Sequence, residues 1–306
     1  MEVGDVREVT TGDCSDLYYL DTGMYDTNEY GAVYIIDDER PAVVDTGIGT
    51  NYDLLREALV EVGIDEDDLE VIAVTHVHLD HAGGAGFLAA DCPNADVYVP
   101  SLGADHLADP SRLVAGTKQA VGDQWEYYVE PEPVPEDRIV AIDDGDVIDL
   151  GTHELRVHGA PGHAPHQVVF EDPVNDAVFV ADAAGIWVPE IEEIRETSPP
   201  SNFDLEQCLD DIETLKEIDP DVFCYPHFGP RYVGDDVERA LEEYATVLKE
   251  WVDAVAAKRR ELEDDDAVIE YFADASEMTD VWGDEKASEE AKLNTRGVLG
   301  YLDHRE

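Results

Sequence analysis

Three histidines and one aspartate fall within the six residues His76–His81, in a chain that has only 10 histidines among its 306 residues. The segment before this cluster, Leu69–Thr75, is rich in β-branched residues and predicts a buried strand. The segment after it, Ala82–Ala90, is rich in glycine and predicts a turn that enters a helix. The cluster therefore lies where a strand ends and a helix begins, at the sheet edge where α/β folds usually place their chemistry.

The spacing of these four side chains suits metal binding. Imidazole and carboxylate groups are good ligands for zinc, manganese and iron. On an irregular turn, His76 and His78 can point at one ion, while Asp80 and His81 point at a second ion beside it. Two divalent ions about 3.5–4 Å apart can hold a hydroxide between them for attack on a substrate. The alternative is a histidine-rich surface loop that binds nothing.

The pattern T-H-x-H-x-D-H at Thr75–His81 resembles the signature of the metallo-β-lactamase superfamily, and its continuation through Gly84 resembles the glyoxalase II-like hydrolases of that superfamily. The resemblance covers roughly residues 15–230. Four further family motifs occur in the expected order, namely a D-T-G turn at Ala42–Gly47, a P-G-H motif ending at His166, a strand that ends in aspartate at Val178–Asp182, and a late histidine motif at Tyr225–Gly229.

The resemblance implies the complete ligand set and the fold. His163 would join the first metal, Asp182 would bridge the two metals, and His227 would bind the second. The expected cofactors are two divalent metal ions, with zinc first and iron or manganese able to use the same ligands. The expected fold is an α/β (α+β) four-layer αββα metallo-β-lactamase sandwich. The predicted metal ligands are His76, His78, Asp80, His81, His163, Asp182 and His227.

Strand patterns on both sides of the chain midpoint also predict two sheets packed face to face with helices outside. The second sheet is predicted from strands at 139–142, 147–150, 154–158, 167–171 and 177–181. Residues 1–233 are predicted to form the catalytic domain, with a helical insertion at 101–135, and residues 234–306 a helical C-terminal region.

Three segments have two interpretations each. The loop 22–28, with Met24 and Tyr25, is either a substrate flap over the metals or a surface turn. The C-terminal helices either help to hold a thiol carrier, as in glyoxalase II, or serve dimerisation or core covering, which the scarcity of basic residues favours. The insertion 101–135 is either a lid or a peripheral packing element, and as a lid it would offer His106, Trp125, Tyr127 and Tyr128.

Several polar residues lie near the motifs without matching a ligand position. Asp45 is expected to brace the metal loop through hydrogen bonds. His166 stands three residues after His163, whereas the family's second histidine stands four after it, so we expect His166 to support the site without binding metal. His158 is expected to pack at a strand end, and His153 and His304 to be solvated.

The charge of the chain is strongly negative, because 74 aspartates and glutamates face 19 lysines and arginines, a net −55. An acidic disordered protein is one explanation, but a hydrophobic share of 43% and clear periodic segments argue against it. A salt-adapted surface fits better, since salt near 1 M shortens the Debye length to about 3 Å and screens this repulsion. The composition therefore predicts a halophilic, archaeal source.

The remaining features predict a cytoplasmic protein. No apolar run approaches the roughly 18 residues of a membrane-spanning helix, and Met1–Val6 lacks the basic start and apolar core of a signal peptide. The cysteines form no C-x-x-C pair and are expected to be reduced thiols. They are Cys14, Cys92, Cys208 and Cys224.

These observations predict a metal-dependent hydrolase in which a hydroxide held by two metals attacks the ester-like carbonyl of a thioester or lactone, with Asp80 as the catalytic residue that orients it. A mononuclear iron persulfide dioxygenase is one alternative, although it would need only His76, His163 and Asp182. A phosphodiesterase or nuclease is another, although such enzymes need clustered basic residues. The expected partner is a small acyl substrate, and binding to nucleic acid or to a membrane is not expected. A homodimer is compatible with the sequence.

Overall fold

Two β-sheets lie face to face, and helices cover their outer surfaces. The structure is a computed structural model that describes residues 1–199 and 202–305. Its strands are β1 Val6–Glu8, β2 Leu17–Asp21, β3 Ala32–Ile36, β4 Ala42–Val44, β5 Val71–Ala73, β6 Asp96–Pro100, β7 Ile139–Ile142, β8 Val147–Asp149, β9 Glu154–Gly159, β10 Val168–Asp172, β11 Ala177–Phe179, β12 Ile186–Val188, β13 Glu193–Arg195, β14 Val222–Tyr225 and β15 Gly229–Tyr232. Its helices are α1 Tyr52–Val62, α2 Leu79–Ala82, α3 Ala85–Asp91, α4 Ala104–Ala108, α5 Ser111–Val121, α6 Leu205–Ile218, α7 Val237–Leu262, α8 Asp265–Asp274, α9 Thr279–Trp282 and α10 Asp284–Arg305.

The first sheet contains β1 to β7 in chain order. Neighbours from β1 to β4 are antiparallel, and neighbours from β4 to β7 are parallel. Successive residues of a strand point to opposite faces, so Val33 and Ile35 of β3 pack under the outer helices while Tyr34 and Ile36 pack against the second sheet. Both faces of this sheet are therefore buried.

The second sheet has the order β15-β14-β11-β10-β9-β8. Its β11 and β14 are parallel, and the other neighbours are antiparallel. Phe170 and Phe179 fill the space between the two sheets, whereas Phe223 and Tyr225 pack outward under α6 and α7. With α1 and α3 on the first sheet and α6, α7, α8 and α10 on the second, the predicted four-layer αββα sandwich is confirmed.

One strand was predicted in the wrong sheet. Ile139–Ile142 was expected in the second sheet, but as β7 it pairs in parallel with β6 at the edge of the first sheet. The helical insertion between these strands returns the chain to the same end of the sheet, and such a crossover produces a parallel pair. A short apolar run identifies a strand but does not identify its partner.

Five short elements were not predicted, namely the hairpin of β12 and β13, the edge strand β15 and the one-turn helices α2 and α9. All four cysteines are buried and free of disulfide bonds. Among residues 1–199 and 202–305, we find no helix with the length and apolar character that crossing a bilayer requires.

Candidate metal centre

All seven predicted ligands converge at one edge of the sandwich. They are carried by the segment after β5 that includes α2, by the turn between β9 and β10, and by the segments that follow β11 and β14. Their donor atoms form three overlapping groups in which every atom lies within 4.8 Å of the others. These groups are His76, His78 and His163; His76, His81 and Asp182; and Asp80, His81 and His227.

The first histidine group has the spacing of a metal site. His78 Nδ1 lies 3.1 Å from His76 Nε2 and 3.1 Å from His163 Nε2. One ring nitrogen carries at most one proton, so His78 cannot donate a hydrogen bond to both neighbours. Two ligand atoms about 2.0–2.1 Å from a tetrahedral ion lie roughly 3.3 Å apart. The three nitrogens therefore fit around one ion.

Asp182 lies between the two ends of the cluster. Its Oδ2 is 3.2 Å from His163 Nε2 and 3.2 Å from His81 Nε2, and its Oδ1 is 3.6 Å from His227 Nε2. His81 Nε2 is also 3.7 Å from Asp80 Oδ2. The Asp182 carboxylate thus reaches His163 of the three-histidine group and His227 of the group with Asp80 and His81. This is the position predicted for the bridging ligand.

Three buried atoms of the predicted ligands lack hydrogen-bond partners among the described residues, namely His81 Nε2, His163 Nδ1 and Asp182 Oδ1. The approach of His81 Nε2 to Asp182, at 3.2 Å, does not have hydrogen-bond geometry. An unsatisfied buried polar atom is costly. Nitrogen and oxygen donors left open and aimed at a common point are what a divalent metal requires, so the residues present fit metal binding.

Hydrogen bonds behind the cluster turn the Nε2 atoms of three rings toward its centre. The Thr75 hydroxyl donates to Asp45, so His76 Nδ1 donates to the Thr75 oxygen at 3.2 Å. His81 Nδ1 donates to Asp45 Oδ2 at 3.0 Å, and His227 Nδ1 donates to the Tyr30 carbonyl at 2.8 Å. Such partners fix the tautomer of a ligating imidazole. Asp45 therefore has the bracing role that the sequence predicted.

The turn that carries His163 is held against α6. The Gly162 N–H donates to Asp211 Oδ2 at 2.7 Å, and burial raises the pKa of Asp211 to about 7. A side chain at Gly162 would bring its Cβ to 2.2 Å from the Cys208 nitrogen. Only glycine allows this approach, so α6 fixes the backbone one residue before a predicted ligand.

Three non-glycine residues beside the ligands have left-handed backbone. The φ angle is 58° at Asp45, 46° at Ala181 and 65° at Phe228. Ala181 precedes Asp182 and Phe228 follows His227. Such residues are uncommon and persist where the surrounding structure enforces them, often at functional sites. Left-handed backbone therefore occurs at the points where Asp182 and His227 leave their strands.

Burial sets the protonation of the first group. It lowers the pKa of His76 and of His78 and brings the pKa of His163 to about 4. Removal from water disfavours the charged ring, so all three imidazoles are neutral near pH 7. The neutral imidazole is the form that binds metal.

A cavity of about 550 Å³ opens above the cluster. Four residues singled out from the sequence line it, namely Tyr25, His106, Tyr128 and His166. Met24, which the flap interpretation would place over the metals, does not line it; it is 2% exposed and packs in a core cluster with Ile48 and Ile186. A methionine is too apolar to stay on the surface when a core space is beside it. Trp125 and Tyr127 do not line the cavity either.

The cavity wall also includes residues that sequence reasoning missed. Lys286, Glu290 and Asn294 reach it from α10, Arg296 from the same helix, and Arg112 from α5. The first three are four residues apart and share one helix face, a polar stripe that could have been noticed. These residues lie far along the chain from every family motif, so the sequence did not indicate that they line the cavity. Helix α10 therefore contributes to the site as well as covering the core.

The other histidines have mixed outcomes. His153 was expected to be solvated, but it is buried and its Nδ1 lies 3.0 Å from Asp172 Oδ2. The buried carboxylate of Asp172 accepts a hydrogen bond from Nδ1 of the ring, which offsets part of the cost of burying the imidazole. His304 is exposed, as expected, and His158 pairs with Glu171 at 2.7 Å on β9.

Comparison with known proteins places this site in context. A metallo-beta-lactamase fold-containing protein of Sulfurisphaera tokodaii is 24% identical over 263 residues, which are 82% of this chain and 94% of that protein. A hydroxyacylglutathione hydrolase of Francisella tularensis subsp. novicida is 27% identical over 161 residues, 52% of this chain and 48% of the hydrolase. An acyl-coenzyme A thioesterase of Homo sapiens is 26% identical over 188 residues, 54% of this chain and 62% of the thioesterase.

Solved structures agree on the architecture. The crystal structure of an archaeal metallo-beta-lactamase superfamily protein from Sulfolobus tokodaii matches with a TM-score of 0.69 at 21% identity, over 94% of this chain and 99% of that one. A metallo-beta-lactamase family protein of Thermus thermophilus matches with a TM-score of 0.67 at 20% identity, over 95% and 94%. Residues 26–227 match the profile of the metallo-beta-lactamase superfamily. Because that match spans more than half of the sequence and contains all seven converging residues, the chain belongs to the metallo-beta-lactamase superfamily.

Proposed function

We propose that this chain is a metal-dependent thioester hydrolase of the glyoxalase II-like type. The observation that carries the proposal is the group of Asp80, His81 and His227. It lies beside the group of three histidines, His76, His78 and His163. A mononuclear iron dioxygenase would not need the group of Asp80, His81 and His227. A complete second group beside a substrate-sized cavity is what hydrolysis with two ions requires.

The names of two relatives support the thioester. The hydroxyacylglutathione hydrolase and the acyl-coenzyme A thioesterase are both named for an acyl group on a thiol carrier. The chain spans only 48% and 62% of their lengths, so their substrates come to this chain as part of the proposal. A lactone would use the same site chemistry.

Asp80 is the predicted ligand best placed to act on the substrate. Its side chain is 27% exposed, against 1% for His81 beside it, and it lines the cavity. Divalent ions in such a site make a bound water nucleophilic near neutral pH and polarise the substrate carbonyl. Asp80 can accept a hydrogen bond from the attacking water and pass the proton to the leaving thiolate.

Two arginines in the cavity wall favour an anionic substrate. Arg112 and Arg296 line the cavity, and neither forms an ion pair with a described residue, although most basic residues of this acidic chain do. A guanidinium group binds carboxylate or phosphate in bidentate fashion. We infer that the thiol carrier or the acyl chain bears such a group.

Arg112→Gln tests this part of the proposal. Arg112 makes no side-chain hydrogen bond in the described chain, so the variant should fold normally. The KM for an anionic thioester should rise about three- to tenfold, the value of one exposed charged hydrogen bond, while the KM for a neutral thioester stays unchanged. Arg260→Gln is the matched control, because Arg260 is exposed and lies outside the cavity. Equal effects on both thioesters would contradict an anion contact.

The direct test of function is a substrate panel with metal-loaded protein. Acyl-glutathione and acyl-coenzyme A thioesters, lactones, RNA and DNA are assayed with and without chelator, and the Asp80→Ala variant serves as the control. We expect hydrolysis of at least one thioester that both chelation and Asp80→Ala abolish, and no cleavage of nucleic acid. Nuclease activity that disappears in Asp80→Ala would overturn the proposal, and hydrolysis of lactones alone would replace the substrate class.

A further inference from the structure

The side chains of Tyr25 and Tyr128 meet beside the metal centre, although they are 103 residues apart in the chain. Tyr25 lies in the short 3-10 turn Met24–Asp26 between β2 and β3, and Tyr128 directly follows the 3-10 segment Gly122–Tyr127 after α5. Their hydroxyl groups are hydrogen-bonded to each other, and both residues line the cavity. Two segments of uncertain role in the sequence thus form one feature.

Counting protons shows what this pair can offer. Two phenolic hydroxyls carry two hydrogens, and the bond between them uses one. Neither hydroxyl has another hydrogen-bond partner among the described residues. One O–H therefore stays unshared, and it belongs to a pair that lines the cavity.

The pair lies close to the predicted ligands. The Tyr25 ring packs edge-on against Tyr30 with 5.8 Å between centroids, and the Tyr30 ring is 4.6 Å from that of His227. Burial raises the pKa of Tyr25 and of Tyr128, and the Asp80 carboxylate raises both further. Both phenols therefore stay protonated near pH 7 and remain hydrogen-bond donors.

The surroundings hold the pair in place. The Lys286 ammonium group lies 3.9 Å from the centre of the Tyr25 ring and 4.5 Å from that of Tyr30, and Glu290 fixes it through an ion pair of 2.6 Å. Trp125 stacks on Tyr128 with 5.3 Å between centroids. The ring quadrupole attracts the cation, so Lys286 helps to hold the Tyr25 ring in position.

We propose that the unshared hydroxyl hydrogen of the Tyr25–Tyr128 pair donates a hydrogen bond to the oxygen of the bound acyl group, the carbonyl of the substrate and then the carboxylate of the product. Such a donor, fixed in advance, stabilises the negative charge that develops on that oxygen. The assignment rests on the proposed function for its substrate, but it makes a separate statement about what the two hydroxyls bind.

Acetate, the simplest acyl product, is the probe. Its dissociation constant is measured for the zinc-loaded full chain, for Tyr25→Phe, for Tyr128→Phe and for the double variant. The variant that loses the donor should bind acetate about three- to tenfold more weakly, the value of one hydrogen bond. The other single variant should change less, and the double variant should be no weaker than the worse single one, because the pair supplies only one bond.

Tyr127→Phe is the matched control. Tyr127 packs edge-on against the same Tyr25 ring at 5.8 Å but lies outside the cavity lining, so its removal should leave acetate affinity unchanged. Metal content and thermal midpoint are measured for every variant. A near-ultraviolet difference spectrum of the unmodified protein, in which acetate should shift the tyrosine absorption to the red, keeps the test valid if a variant fails to fold.

The outcomes separate this inference from the proposed function. The tyrosine assignment would be overturned if the Tyr→Phe variants bind acetate as tightly as the unmodified protein and acetate does not shift the tyrosine absorption. This holds even if the protein hydrolyses thioesters. The expected shifts in a protein that hydrolyses no thioester would support the assignment and reject the substrate class.

Discussion

His81 and His153 make the same local contact in different parts of the molecule. Each ring is 1% exposed, and each Nδ1 lies 3.0 Å from an aspartate Oδ2, of Asp45 for His81 and of Asp172 for His153. Judged by this pair alone, both residues look like histidines oriented for metal binding.

The difference lies at the other nitrogen. His81 Nε2 is 3.2 Å from Asp182, and His81 belongs to two groups that contain four other potential ligands. His153 Nε2 has no hydrogen-bond partner among the described residues, and the carboxylate that faces it, that of Asp16, is 3.9 Å away. A buried histidine–aspartate pair is therefore a general way to bury an imidazole, and only the convergence of further donors makes a metal site.

Removing each histidine should break this comparison most strongly. His81→Ala should lose metal and nearly all turnover, an effect on the order of 10³-fold or more, because it removes a ligand shared by two groups. His153→Ala should keep its metal and its rate per folded molecule. Metal content by elemental analysis and thioester turnover are measured together.

His166→Ala is the control inside the cavity. His166 lines the cavity and belongs to none of the ligand groups, so this variant should keep its metal and change only rate or substrate preference. Loss of metal from His166→Ala would contradict the assignment of His163 as the ligand of that turn.

Replacing Asp45 and Asp172, the partners of the two histidines, should give smaller effects on metal affinity and stability. These effects should still distinguish the metal centre from the His153 contact. Asp45→Asn should weaken metal binding about 10- to 100-fold, because Asp45 orients His81 and holds the Thr75 backbone. Asp172→Asn should leave metal affinity unchanged and lower the free energy of unfolding by about 1–3 kcal/mol, the cost of disturbing a buried charged hydrogen bond. Equal metal affinities in the two variants would mean that Asp45 is only structural.

The His153–Asp172 pair, which lies away from the predicted ligands, should make the free energy of unfolding depend on pH. The hydrogen bond to Asp172 raises the pKa of His153, and the Asp38 and Asp16 carboxylates add to this. A raised folded-state pKa gives stability that is complete below the unfolded-state pKa, near 6.5, and is lost as pH rises through the folded-state value. Urea unfolding should therefore show that His153→Gln destabilises the protein by about 1–2 kcal/mol more at pH 5 than at pH 9.

His304→Gln is the matched control for this measurement, because His304 is exposed. Its effect on the free energy of unfolding should be small at both pH values. A His153 effect that grew as the pH rose would show that the ring is neutral in the folded protein.

The convergence of the seven predicted metal ligands could be predicted from the sequence because these residues lie in short motifs at strand ends. His76 and Asp80 are close in the chain, and the distant ligands His163, Asp182 and His227 each follow a recognisable strand. Strand ends at one edge of a sandwich are brought together by the fold itself. Local pattern and global architecture therefore gave the same answer.

The cavity wall above the predicted ligands could not be predicted, because it depends on long-range packing that leaves no local pattern. Lys286 meets Tyr25 only through the way α10 docks, and β7 joined the first sheet through a crossover that periodicity does not specify. His153 was misjudged for a related reason, since its partner Asp172 is 19 residues away at the end of β10. The halophilic source and the division at residues 233 and 234 stay predictions.

The central claim is that two groups of ligands hold two divalent ions. Elemental analysis of protein purified without added metal tests it most directly. Seven converging donors, with Asp182 between the groups, predict close to two equivalents of divalent metal per chain. A single tightly held iron, with no second equivalent bound even when metal is supplied, would contradict the account and favour a mononuclear oxygenase.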